Sequence, residues 1–261
     1  MSREGLRAVE ILAERMQQNI DSLRPEEWAL PSRCSGWSVQ DLVAHTSSNL
    51  HAVADPDTAP SDAPPVAEDL QELLVVRRRN WTAQEVADEY RRYCEPALAV
   101  FRAVQDEPLA SSPLTMSELG TYPMHALADA FAFDMWCHFY IDLLSPTGPV
   151  ERPYQEPEDE LLRPGIGWML AGLPQMCPSA SKVLDRPLAL ELTGPGGGRW
   201  LLQPGDVMTV VESEHDAGAV VTSSAVDFVL WGTTRVPWRD CVAIAGDTAY
   251  AERVLDEINI V

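Results

Sequence analysis

Two imidazoles and a carboxylate give this sequence its first chemical lead. Asp134 and His138 stand four residues apart in an apolar-periodic run, a spacing that puts both side chains on one helix face. His45 lies in the middle of a second such run. If the two helices face each other, three donors converge on one point, and three protein ligands leave a fourth position open on a divalent ion. That is the pattern of a catalytic zinc site and not of a structural one. The same spacing also describes a hydrogen-bonded pair that satisfies a partly buried imidazole, and spacing alone leaves both readings open. The other histidines fall elsewhere. His125 is nine residues before Asp134, half a turn away around the same helix, His51 is off the face of His45, and His215 sits in the polar stretch 212–216.

Arg77, Arg78 and Arg79 form the one dense basic cluster. They read either as recognition of carboxylates on an acidic substrate or cofactor, or as a solvated face. The glycine-rich stretch 194–198 lacks the Lys-Ser/Thr of a phosphate-binding loop and lies between two strand-like runs, so it reads as a hairpin turn. No Gly-x-Ser-x-Gly elbow is present to support acyl chemistry.

The elements that must position these residues are helical first. Leu6, Val9, Leu12, Met16 and Ile20 predict a helix over 5–23. Ser38 and Asp41 form a capping box that opens a second helix, 38–53, and Thr82 and Glu85 form another that opens a third, reaching Val104 with a kink near Pro96. A fourth helix is expected over 122–144. Residues 54–69 hold four prolines and read as a loop or flap, and 145–159 as a linker or strap. Four such helices suggest an antiparallel bundle whose interior can host metal ligands. A short helix near 158–173 completes this first domain, placed at 1–175. Beyond it, 188–193, 199–203 and 207–211 read as an antiparallel hairpin sheet, followed by helices at 224–231 and 248–258. The expectation is thus α+β, with a helical bundle followed by a small α+β domain at 176–261.

Charge narrows the function classes. With 19 Lys+Arg against 40 Asp+Glu the formal charge is −21, a field that repels nucleic acid and anionic membrane surfaces. Five scattered cysteines without a Cys-x-x-Cys pair fit reduced thiols. With a charged N-terminus and no long apolar run, they point to a cytoplasmic protein, monomer or homodimer, acting on a small-molecule substrate.

The stretch Pro31-Ser-Arg-Cys34-Ser-Gly-Trp37-Ser-Val-Gln-Asp41-Leu-Val-Ala-His45 closely resembles the opening motif of the mycothiol-dependent maleylpyruvate isomerase family, whose bundle is DinB-like. Phe133-Asp134-Met-Trp-Cys-His138 is similar to that family's carboxylate-x-x-x-His. Val226-Asp-Phe-Val-Leu-Trp-Gly232 and Ala245-Gly-Asp247 resemble its C-terminal domain, a unit distantly similar to sterol-carrier proteins. The resemblance implies a divalent metal, usually zinc, on His45, Asp134 and His138, and mycothiol or a similar thiol as cofactor. The implied activity is a thiol-dependent transfer or isomerisation of an electrophilic small molecule. Asp134 stands where many members have Glu. Arg235, two residues beyond the usual arginine position, is the implied catalytic contact for a carboxylate. A thiol-independent metal hydrolase or tailoring enzyme, and a metal-free binding protein on the same fold, remain alternatives.

Overall fold

The computed structural model describes residues 3–153 and 155–260, so Tyr154, inside the expected linker, lies outside the described residues. The chain divides into two compact units, Met1–Glu156 and Pro157–Val261.

The first unit is helical. α1 (Glu4–Ser22) buries Leu6, Val9, Leu12, Met16 and Ile20 along one face. α2 (Val39–Ala54) begins at the expected capping box: the Ser38 hydroxyl accepts from the Asp41 amide, and the Asp41 carboxylate accepts from the Ser38 amide. α3 (Ala67–Val76) has no counterpart in the expectation from sequence. Only Val75 of its residues is fully buried, and its first amide is capped from a distance by Glu118 Oε1 (2.8 Å), so neither periodicity nor a local cap announces it. α4 (Ala83–Ala103) starts at the Thr82–Glu85 box and carries Pro96 inside it.

The expected fourth helix is shorter and less regular than its apolar pattern. Tyr122 pairs with Leu114 in a small antiparallel hairpin, β1 (Pro113–Thr115) with β2 (Thr121–Pro123). The helix α5 therefore starts only at Leu127 and ends at Trp136. From Cys137 to Leu143 the chain winds as a π-helix, a rare form that concentrates at functional sites. α2 packs on α4 and on the π segment, α4 on α1, and α1 on α5, which closes a four-helix bundle with α3 added on its outside. The strap after it is anchored: Arg152 grips the buried Glu27 with two hydrogen bonds (3.0 and 3.1 Å), and these hold the Glu27 carboxyl down to about 2.

The second unit begins earlier than the expected boundary at 175/176. α6 (Asp159–Met176), assigned from sequence to the bundle, belongs with the C-terminal sheet. Asp159 Oδ1 accepts from the Gly196 amide (2.8 Å), Arg163 donates to the Gly197 carbonyl (3.1 Å), and α6 packs on the sheet. α7 (Pro178–Val183) follows. β3 (Leu188–Thr193), β4 (Gly198–Gln203) and β5 (Thr209–Glu212) form the expected antiparallel run. β6 (Ala219–Ser224) then returns parallel to β3, and after α8 (Ala225–Gly232) β7 (Ala243–Gly246) pairs antiparallel with β6. α9 (Thr248–Leu255) completes the unit. The sheet is mixed, in the order β5-β4-β3-β6-β7, and the fold is α+β.

The α1–α5 contact carries a measurable signature. A side chain on Gly5 would overlap the Asp129 carboxyl, so the two helices meet at the closest approach glycine allows. Burial lifts Asp129 to about 7, against the opposing influence of His125. A carboxyl raised in the folded state stabilises below its unfolded value near 4 and loses that contribution as pH rises through 7. Stability should therefore fall between pH 4 and 7, and Asp129→Asn should flatten that slope and stabilise the protein at pH 8 by up to about 4 kcal/mol. Urea unfolding across pH checks it; equal slopes for both proteins would remove Asp129 as the cause.

Candidate metal centre

The centre is assembled by the loop that leads into α2. Pro31 and Ser38 form an isolated bridge, and between them the Ser32 amide donates to the Trp37 carbonyl (2.9 Å) and the Trp37 amide to the Cys34 carbonyl (3.1 Å). Gly36 sits at φ +82° with open space around it, so the turn needs glycine for its backbone angle alone. The Arg33 amide donates to the Asp142 carbonyl (3.1 Å), which stitches this loop to the π segment. Cys34 and Trp37 are thereby brought against His138 and His45: Cys34 Sγ is 3.7 Å from His138 Nδ1, and the Trp37 ring lies 5.1 Å from the His45 ring and 6.4 Å from that of His138.

His45, from the middle of α2, and His138, from the π segment, meet on Asp134 of α5. His45 Nε2 is 3.2 Å and His138 Nε2 3.4 Å from the same oxygen, Asp134 Oδ1. A tetrahedral ion with bonds of about 2.0–2.1 Å needs ligand atoms roughly 3.3 Å apart. The donor set therefore fits a zinc-type ion. Both histidines are buried, whereas the Asp134 side chain keeps 29% exposure, so the cluster is reached from one side.

Asp142 completes the arrangement from behind. It is fully buried, and its Oδ2 lies 2.9 Å from His138 Nδ1. With the Nδ1 proton directed at Asp142, His138 presents the Nε2 lone pair to the centre, the tautomer a metal ligand needs. Burial alone would raise the Asp134 carboxyl, but the charges of His45 and His138 outweigh it and hold the group far below the usual carboxylate range. Burial would lower His138, and the charge of Asp134 with the hydrogen bonds of Asp134, Asp142 and Cys34 pushes it well above the usual imidazole value.

Residues 9–140, which carry all three donors, match the family described as the mycothiol maleylpyruvate isomerase N-terminal domain. The chain belongs to this family. Two crystal structures share the fold, one of the mycothiol-dependent maleylpyruvate isomerase and one of a histidine-to-alanine mutant of it. Each is 16% identical, covering 93% of this chain and 92% of theirs, with a TM-score of 0.59. No curated protein matches the chain.

The expected arginines have partners of their own. Arg78 is buried and grips Glu89 with Nε and Nη2, while Arg77 pairs with Asp62, and Arg79 with Glu72 (2.9 Å) and Asp41 (3.4 Å). All three guanidinium groups thus meet carboxylates of the chain itself. Arg235 belongs to the second unit, in the turn after α8, where Thr234 takes φ +57° and Arg235 Nη1 donates to Thr233 Oγ1 (2.8 Å). His51 pairs with Glu89 and stacks on Tyr93, and His125 meets the Ala110 carbonyl, both away from the centre as their spacing requires.

Asp142 and Asn49 were missed. Each had a signal, since Asp134, His138 and Asp142 recur at every fourth residue, and Asn49 follows His45 by four and places Nδ2 3.3 Å from His45 Nε2. Removing Asp142 takes from a buried imidazole the nearer of its two carboxylate partners. Asp142→Ala should destabilise the metal-free protein by about 3–5 kcal/mol, and Asp142→Asn, which keeps an acceptor oxygen, by less. Urea unfolding midpoints measure this, and an unchanged midpoint in Asp142→Ala would mean that the pair is not formed.

Proposed function

We propose that the chain is a cytoplasmic thiol-dependent enzyme that isomerises, or transfers a thiol to, an electrophilic small molecule, with mycothiol or a similar thiol as cofactor. His45, Asp134 and His138 would hold a divalent ion, zinc by the chemistry of the donors. The observation that carries the reading is the convergence of those donors at tetrahedral spacing within the region that matches the family. When bound, such an ion supplies the positive charge that keeps a thiol, with a free pKa near 8.5, in its reactive thiolate form.

The chain's own groups have distinct tasks in this reading. Asp134 would supply negative charge on the accessible side of the cluster. Asp142 fixes the proton of His138 on Nδ1 and keeps Nε2 available. Asn49 Nδ2, 3.3 Å from His45 Nε2, is the amide nearest that ligand atom and offers a donor to a ligand entering beside it. Five free cysteines support a reducing compartment. Arg235 is proposed as a contact for a substrate or cofactor carboxylate. Arg77 and Arg79 join it in that role only where a ligand carboxylate replaces Asp62 or Glu72. The division at 156/157 replaces 175/176 as the proposed domain boundary.

Purified protein should contain about one divalent ion per chain, lost in His45→Ala and His138→Ala. With that ion present, incubation with mycothiol and a panel of electrophiles should give S-conjugates or isomers by mass spectrometry, with KM raised in Arg235→Ala. Turnover that proceeds without any thiol would favour a thiol-independent metal enzyme instead. Metal-free protein with unchanged stability in both histidine variants would point to a binding protein.

A further inference from the structure

Histidines that ligate a metal almost always donate their outer ring N–H to a partner that fixes the ring. His138 has such a partner in Asp142 (2.9 Å), but His45 does not. Its Nδ1 is buried and has no hydrogen-bond partner among the described residues, although the side chain is only 5% exposed. With Nε2 turned to the centre as a metal ligand, the ring proton sits on that unpartnered Nδ1. Something other than a hydrogen bond must hold the ring.

The group in place to do so is Trp37. Its ring lies 5.1 Å from the His45 ring and is tilted 45° to it, and the indole is itself held from outside the bundle. Trp37 Nε1–H donates to Glu72 Oε2 of α3 (2.8 Å), Glu72 Oε1 accepts from Arg79 Nη2 (2.9 Å), and Arg79 Nε reaches Asp41 Oδ1 (3.4 Å). Asp41 is the capping carboxylate of α2, so the chain of contacts closes on the helix that carries His45.

We infer that Trp37 is the positioning residue of His45, replacing by packing the outer hydrogen bond the histidine lacks, and that Glu72 of α3 sets the indole. This rests on His45 being a metal ligand. It also gives Arg79 a role other than cofactor recognition, since Arg79 acts on the centre through Glu72 and Trp37.

The test is the zinc affinity of the full chain, by competition with a chromophoric chelator, read beside the melting temperature of the metal-free protein. Trp37→Ala should weaken zinc binding about 10- to 100-fold, the range for outer partners of metal ligands. Trp37→Phe, which keeps a ring against His45, should lose less. Glu72→Leu should also weaken binding, and Glu72→Gln, whose amide oxygen still accepts from the indole, should restore most of it at an unchanged melting temperature. The visible spectrum of the cobalt-substituted protein should shift in Trp37→Phe and Glu72→Leu and stay as in the parent in Glu72→Gln. Parent protein that holds zinc while Trp37→Phe and Glu72→Leu match it in affinity and cobalt spectrum overturns this inference alone. Parent protein that binds no ion overturns it together with the metal reading on which it rests.

Discussion

The structure turns on a problem of charge. Asp134 and Asp142 are brought to opposite nitrogens of one buried imidazole, His138, and two carboxylates in a bundle interior require compensating positive charge. Protonated histidine provides part of it. A divalent ion between His45, Asp134 and His138 would provide all of it, since one double positive charge balances two carboxylates while both imidazoles stay neutral. Binding of such an ion would displace a proton from the centre, the usual coupling between metal affinity and pH.

That balance explains why the surrounding backbone departs from regularity. α5 gives way to a π-helix where the two carboxylates and the histidine must be held in line, and the main chain of that segment also receives the Arg33 amide from the loop opposite. The loop in turn needs Gly36 in a left-handed conformation so that Trp37 faces the two imidazoles. α3 lies outside the bundle with little buried surface of its own, yet Glu72 and Arg79 tie it to the indole. Packing, capping and electrostatics therefore converge on a few side chains around His45 and His138.

Much of this could be read from the chain. Ser38–Asp41 and Thr82–Glu85 set their helix starts because a capping box is local chemistry, satisfied by residues three apart. His45, Asp134 and His138 stood out because helical spacing restricts which side chains can share a face. The unread parts depend on distant partners. α3 is capped by Glu118, some fifty residues away in sequence, and α6 joins the C-terminal sheet through Gly196 and Gly197, which no periodicity reveals. The parallel pairing of β6 with β3 is likewise non-local. The Arg77–Arg79 cluster looked available because a sequence shows charges and not their partners; Asp62, Glu89, Glu72 and Asp41 lie 7 to 38 positions away.

Those pairings have a kinetic side. The scarce cations are drawn into ion pairs across the chain, as at Arg3–Asp106, Arg102–Glu10, Arg152–Glu27 and Arg239–Asp256, so little of the −21 is relieved by free positive charge at the surface. An anionic ligand approaching from bulk water climbs a repulsive potential. Added salt, which shortens the reach of the field to about 10 Å at 0.1 M, lowers that barrier and raises the encounter rate. Most electrostatically guided enzymes slow as ionic strength rises; the paired arginines give this chain the opposite dependence for any ligand that carries negative charge.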